Sequence, residues 1–239
     1  MKKFRRFLFL KLPLTLILLS VLFVLVLKWV PVWVTPLMIK RSIEYRDDSK
    51  YETRMTWVSL SDISNNMVKA VIASEDNLFP THNGFDTTAI KQALKEHERG
   101  KRLRGASTIS QQTAKNVFTF GSHTWFRKGL ELYYTFLIEK IWGKERIMEV
   151  YLNVAEMGPG IFGVEAAAQK YYKKSAAKLT LSQAARITAC LPNPLKRSPL
   201  RQTSYMSRRE GQIIDLTHKL AWPDWVSGKK SDNKSKKKK

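Results

Sequence analysis

The chain has 239 residues, 44% of them hydrophobic, which suits one domain of ordinary size with short appendages and excludes wholesale disorder. Lys and Arg number 42 against 20 Asp and Glu, so the formal net charge of +22 calls for a negative partner or surface. A single cysteine, Cys190, excludes both an intramolecular disulfide framework and a cysteine-cluster metal site.

Residues 1–11 form a basic segment with Lys2, Lys3, Arg5, Arg6 and Lys11 and no acid. No residue from Leu12 to Leu27 is charged, and with Lys28 snorkelling the apolar run continues to Val34. A stretch of ~20 residues, each rising about 1.5 Å, crosses a bilayer core. Residues 12–34 therefore read as a single uncleaved transmembrane anchor, because the run is long and no small-x-small cleavage site follows it. The positive-inside rule places the N-terminus in the cytoplasm, Trp29 and Trp33 at the far interface, and the main domain outside the cytoplasm.

Residues 35–58 read as a connector, polar and mixed in charge from residue 41 onward. Residues 59–226 read as the main domain, and its signals are helical. Ser61 and Asp62 precede a stripe of Ile63, Met67, Val71 and Ile72 that ends near Glu75. Asp86 reads as the cap of a helix over Thr87–Arg99 closed by Gly100, and Ser107 as the cap of Thr108–Phe118 after the Gly105-Ala106 turn. An aromatic-rich helix over Thr124–Trp142 breaks at Gly143 and resumes over Lys144–Asn153. Helices over Phe162–Tyr172, Leu181–Leu191 and Ser204–Leu220 follow, punctuated by Pro192, Pro194 and Pro223. No stretch alternates with strand period and no internal repeat is present, so the class is mostly α. Residues 227–239, almost all Lys, Ser, Asp and Asn towards the end, read as a disordered tail.

Four polar segments carry the candidate chemistry. In Glu75-Asp76-Asn77-Leu78-Phe79-Pro80-Thr81-His82-Asn83-Gly84, a carboxylate at the end of an apolar helix meets aromatic walls, and burial there raises a carboxyl pKa toward that of a useful base. His82 reads as a hydrogen-bonded loop anchor, since no second metal ligand lies at helical spacing. The run from Gly105 to Asn116 holds Ser107, Gln111, Gln112, Lys115 and Asn116 on one short helix, poor material for packing and good material for a ligand-facing surface. Arg127, Lys128 and Glu131 share one helical face amid Trp125, Phe126, Tyr133, Tyr134 and Phe136. The segment Lys144–Asn153 reads as mainly structural, with Glu149 and Asn153 bonding neighbouring loops.

Together these four segments resemble the ordered motifs of the monofunctional peptidoglycan glycosyltransferases of glycosyltransferase family 51, and the similarity extends over residues 75–194. One departure is Tyr172-Lys173, where that family usually has Phe-Gly; it bears on local loop geometry rather than on the reactive motifs. The resemblance implies a lysozyme-like helical glycosyltransferase domain behind the single N-terminal anchor. It implies lipid II and the nascent glycan as substrates, and transfer of the growing chain from undecaprenyl pyrophosphate to a GlcNAc 4-hydroxyl with inversion. By the same resemblance Glu75 is the general base and Glu131 a second catalytic carboxylate, orienting cations or holding a divalent ion such as Mg2+ or Mn2+, with no organic cofactor. Lys115, Arg127 and Lys128 would stabilise the departing pyrophosphate. Asp76, Phe79, His82, Ser107, Gln111, Gln112 and Asn116 complete the expected substrate-binding set.

The implied setting is the inner membrane of a two-membrane bacterium with the catalytic domain in the periplasm. Separate transpeptidases, within division or elongation assemblies, would supply the cross-links. The aromatic segment Val117–Phe126 is expected to dip toward the bilayer beside the lipid donor. Two rivals stand beside this reading: a lysozyme-like enzyme that cleaves glycan, and a membrane-tethered basic scaffold for nucleic acid. A hydrolase has no pyrophosphate to hold, and the outward topology disfavours nucleic acid as a partner.

Overall fold

The computed structural model describes residues 7–49, 51–88, 91, 95, 98, 99, 107–120 and 124–227. The basic residues before Phe7, most of the Thr87–Arg99 helix with Gly100, the Gly105-Ala106 turn, Gly121–His123 and the tail from Gly228 lie outside the described residues.

A π-helical turn, Phe7–Lys11, leads into α1, Leu12–Val26. The apolar run is thus not helical as far as Val34: α1 stops at Val26, and residues 31–35 are neither helix nor strand. Pro31 explains the break, because it lacks an N–H and biases the residue before it away from helical geometry. Among the described residues no helix is long and apolar enough to cross a membrane. Most of the apolar surface of α1 is nonetheless outward, with Leu14, Leu16, Ile17, Leu18, Leu19, Leu22 and Phe23 each at least half exposed. Its C-terminal end docks on the domain: Trp142 Nε1 donates to the Val24 carbonyl at 2.8 Å, and Arg146 Nη2 to those of Leu27 and Val30 at 2.8 and 2.6 Å.

The expected connector is more ordered than a spacer. Thr35 caps α2, Pro36–Glu44, by accepting from the Met38 amide at 3.3 Å, and Pro36 suits the first helical position. Strand β1, Arg54–Met55, follows, then a 3-10 turn at Leu60–Asp62. The first helix of the domain, α3 (Asn65–Glu75), starts at the Ser64 cap rather than at Ser61 and Asp62, which lie in that turn. The central helices are α4 (Ile109–Phe118), α5 (Trp125–Ile141) and α6 (Lys144–Val154). Strands β2 (Glu156–Gly158) and β3 (Ile161–Phe162) join β1 in a small sheet of order β1-β3-β2, with β1 parallel and β2 antiparallel to β3. These strands escape a reading by alternation because β2 and β3 are buried on both faces and none exceeds three residues.

The C-terminal part comprises α7 (Val164–Tyr172), a 3-10 turn at Ala176–Lys178, α8 (Leu181–Cys190), α9 (Ser204–Lys219) and the short α10 (Asp224–Ser227). Ala184, Ala185 and Ala189 give α8 a small-residue surface that lets it pack closely on both α3 and α9. The core gathers Met67, Val71 and Ile72 of α3 with Ile147, Val150, Tyr151 and Leu152 of α6, all at most 1% exposed. Burial pushes the Cys190 thiol up to about 11, so it behaves as an inert core residue. Glu149 and Asn153 bond the neighbouring loop as expected: Glu149 accepts from the Leu60 amide at 3.0 Å, and Asn153 both accepts from and donates to the Val58 backbone at 2.9 Å. Lys173, standing in place of the usual glycine, closes α7 at φ 55°, so the left-handed turn persists without glycine.

Candidate active site

Helix α4 is the organising element. Its cap is Thr108, not Ser107: Thr108 Oγ1 accepts from the Gln111 amide at 3.2 Å, and Gln111 Oε1 accepts from the Thr108 amide at 3.0 Å. This reciprocal pair satisfies two amides at the helix start. Asp76, immediately after α3, satisfies a third, since Oδ2 accepts from the Ile109 amide at 2.9 Å.

The loop after α3 is clamped by the same carboxylate. His82 Nε2 lies 3.0 and 2.9 Å from the two Asp76 oxygens, while His82 Nδ1 accepts from the Gly84 amide at 3.0 Å. Because Nδ1 accepts, Nε2 carries the proton and donates to Asp76. The Gly84 carbonyl accepts from Thr108 Oγ1 at 2.7 Å. Gly84 adopts φ +89°, and a Cβ there would stand 2.9 Å from Thr135 Cγ2, so glycine is required twice over. Asp76, Phe79 and His82 therefore build the wall of the site and do not line its cavity: Phe79 is fully buried and Asp76 nearly so. Asp76 and His82 spend these hydrogen bonds on internal partners.

Glu75, the last residue of α3, sits on the other side of this clamp. Its Oε2 accepts from Gln112 Nε2 at 3.3 Å and its Oε1 from Ser74 Oγ at 3.2 Å. Tyr151, 1% exposed, donates to Gln112 Oε1 at 3.3 Å, which turns the amide so that its NH2 faces Glu75. Arg209 on α9 donates to the Ser74 carbonyl at 3.2 Å and to Ser74 Oγ at 2.9 Å. Burial raises the Glu75 pKa; the Gln112 and Ser74 hydrogen bonds and the Arg209 charge oppose that rise without cancelling it.

Beside Glu75 opens a cavity of about 410 Å3. Gln111, Gln112, Lys115, Asn116 and Thr119 line it from α4 and its C-terminus, Ser107 from the start of that segment, and Arg127, Lys128 and Glu131 from α5. Both oxygens of Glu131 are engaged: Arg127 Nη1 donates at 3.0 Å and Lys128 Nζ makes a second, close ion pair. Water reaches Lys115 through the open mouth, yet protein atoms crowd it, and this desolvation lowers its pKa; Glu131 opposes, and Arg127 and Lys128 reinforce, the drop. Among the described residues Lys115 makes no ion pair, and a cation so placed beside two more is a site prepared for an anion. A resident divalent cation does not fit this arrangement. Glu131 is the one carboxylate among the described cavity-lining residues, its oxygens are paired to cations, and no group of three His, Cys, Asp or Glu among the described residues could hold a metal.

Of the residues singled out in the sequence, the cavity brings together Ser107, Gln111, Gln112, Lys115, Asn116, Arg127, Lys128 and Glu131, and Gln112 ties Glu75 to them. Sequence reasoning missed Leu37, Lys40 and Arg41 of α2, which also line it. The paired Lys40-Arg41 on an amphipathic stretch after Pro36 was the available signal. It missed Tyr151, Ser74 and Arg209 as well, whose contacts with the Glu75 neighbourhood join α6, α3 and α9.

A helical domain that sets a half-buried carboxyl beside a cation-lined cavity has the layout of a group-transfer enzyme with an anion site. A family model described as transglycosylase matches residues 42–218, and the chain belongs to that family of glycosyltransferases. The chain is similar to a biosynthetic peptidoglycan transglycosylase of Bacteroides thetaiotaomicron, 49% identical over 92% of this chain and 89% of that one. A protein of the same description from Bdellovibrio bacteriovorus is 50% identical over 81% and 78%, and one from Pseudomonas syringae pv. syringae 44% over 90% and 92%.

Proposed function

We propose that the protein polymerises peptidoglycan glycan strands from lipid II. Glu75 accepts the proton of the acceptor's GlcNAc 4-hydroxyl as that oxygen bonds to C1 of the growing chain's terminal MurNAc. The C1–O bond to the lipid pyrophosphate breaks, its electron pair leaves with the phosphate, and the anomeric centre inverts to give a β-1,4 link. A raised pKa makes the Glu75 carboxylate a stronger base, and general-base assistance of this kind contributes ~10²–10⁴-fold. Lys115, Arg127 and Lys128 stabilise the charge that develops on the departing pyrophosphate, with Arg127 presenting a planar fork to its oxygens. Glu131 holds Arg127 and Lys128 in place, and Ser107, Gln111, Gln112 and Asn116 position phosphate and sugar hydroxyls.

The observation that carries this reading is Gln112, which lines the cation cavity and also donates to Glu75, so one helix face links proton acceptor and anion site. Residues 12–34 anchor the enzyme in the inner membrane, with the N-terminus cytoplasmic and the domain periplasmic. The outward-facing leucines of α1 support that placement, and at about 22 Å the helix relies on its π-helical lead-in and local bilayer thinning to span. Phe120, Trp125 and Phe126, at 65, 93 and 76% exposure, suit contact with the same bilayer, whereas Phe118 stacks on Tyr134 at 4.4 Å and belongs to the packed interior. Cross-links would come from separate transpeptidases. Incubating detergent-solubilised protein with lipid II, and in parallel with purified sacculi, tests the function. Polymer and released undecaprenyl pyrophosphate are expected; shortened glycan from sacculi without polymer would replace this reading with the lytic one.

A further inference from the structure

The segment joining α1 to the domain forms part of the cation-lined cavity. Helix α2 packs on α4 and turns Leu37, Lys40 and Arg41 into it. Arg41 is held from behind: Nε donates to Glu156 Oε2 at 3.0 Å and Nη1 to Glu44 Oε2 at 2.8 Å, while Nη2 takes part in neither bond. The Glu156 side chain, on β2, is only 4% exposed, so the domain's sheet and not α2 alone fixes the guanidinium. Lys40 lies 3.4 Å from Glu44 Oε1 in a half-exposed pair that yields readily to a stronger acceptor.

We propose that Lys40 and Arg41 are diphosphate-binding residues, so that a pyrophosphate ester is gripped jointly by α2 and by the α4–α5 face. Among the described residues five cationic side chains line the cavity; Glu131 pairs with Arg127 and Lys128, and Glu44 and Glu156 back Lys40 and Arg41, so cations still outnumber carboxylates five to three. Such an excess is costly until an acceptor with several negative oxygens enters, and a diphosphate brings them on two centres that separate walls can hold. An arginine already oriented by two carboxylates loses little freedom on binding, which favours Arg41 as a fixed fork and Lys40 as an adjustable point charge. The natural ligand follows from the polymerase reading; the anion chemistry follows from the cavity.

Titration of inorganic pyrophosphate into the full chain in detergent, with lipid II kinetics alongside, tests this. Lys40→Ala and Arg41→Ala are expected to weaken pyrophosphate binding by about threefold and about tenfold, with KM raised and kcat little changed, and Arg41→Lys is expected to fall between. Because Arg41→Ala strands Glu156, the double variant Arg41→Ala/Glu156→Gln is measured too, and it should show the same weakening. Parent-like pyrophosphate binding and KM in both Lys40→Ala and the double variant would overturn the inference, even if the parent polymerises lipid II. A parent that binds pyrophosphate through Lys40 and Arg41 yet makes no polymer would uphold it and overturn the polymerase reading instead.

Discussion

Asp76 bonds to both α4 and the loop after α3, and its replacement has a calculable cost. The carboxylate accepts from His82 Nε2 and from the Ile109 amide, each at 2.9 Å, in a position only 6% exposed. In Asp76→Asn an oxygen in the Oδ2 place can still accept from both donors, but it is uncharged, and the amide NH2 then takes the Oδ1 place 3.0 Å from His82 Nε2, where donor meets donor. His82 cannot escape by changing tautomer, because Nδ1 is needed to accept from the Gly84 amide. The charge assistance and the second His82 contact are therefore lost, at about 1.5–3 kcal/mol. Asp76→Ala strands both donors and should cost about 3–5 kcal/mol. Urea unfolding of the full chain in detergent, followed by circular dichroism, measures both. A double-mutant cycle with His82→Ala should return a coupling of at least ~1 kcal/mol. Since α4 carries Gln112 and Lys115, turnover should fall about tenfold or more in either variant. A cost below ~1 kcal/mol for Asp76→Ala, or no coupling to His82, would refute the clamp.

Further outcomes follow from the same geometry. The acidic limb of the kcat/KM profile should lie above the ordinary glutamate range, and removing a hydrogen bond that favours the carboxylate, as in Gln112→Ala, should move it higher still. With its folded-state pKa raised, Glu75 binds more protons folded than unfolded, so its contribution to stability falls as pH rises through that window; Glu75→Gln should therefore melt higher than the parent at neutral pH while losing turnover. Lys173→Gly should stabilise the protein by roughly 0.5 kcal/mol, as relief of a left-handed backbone outweighs the entropy of glycine, and a lower melting temperature would contradict the assigned φ. Phe120→Ser/Trp125→Ser should reduce partition into anionic vesicles without lowering the melting temperature, since both side chains are largely exposed; unchanged partition would remove this loop from the membrane.

Much of the helical frame was legible because its signals are local. Thr124, Gly143 and the apolar stripes of α3 and α6 mark those helices in the sequence itself, and Arg127, Lys128 and Glu131 meet at helical spacing as their positions require. What escaped depends on distant partners. Ser107 and Thr108 are equivalent caps on paper, and only the reach of Gln111 back to the Thr108 amide decides between them. Strands of two or three residues exist because Arg54–Met55 finds Ile161–Phe162, a pairing no local pattern announces. Arg41 looked like a connector charge until Glu156, far along the chain, turned it toward the cavity. Asp76 and His82 stand inside a reactive motif, yet their bonding to each other and to α4 makes them supports for Glu75 and Lys115 rather than contacts for a ligand.

The central claim is that Glu75 removes the acceptor's proton while the Lys115, Arg127 and Lys128 cluster receives the departing pyrophosphate. Its most direct test is polymerisation of purified lipid II by the parent and by Glu75→Gln, with pyrophosphate binding measured on the same samples. The account predicts at least a hundredfold loss of polymer in Glu75→Gln with pyrophosphate binding retained. Polymer formed by Glu75→Gln at the parent's rate would contradict it.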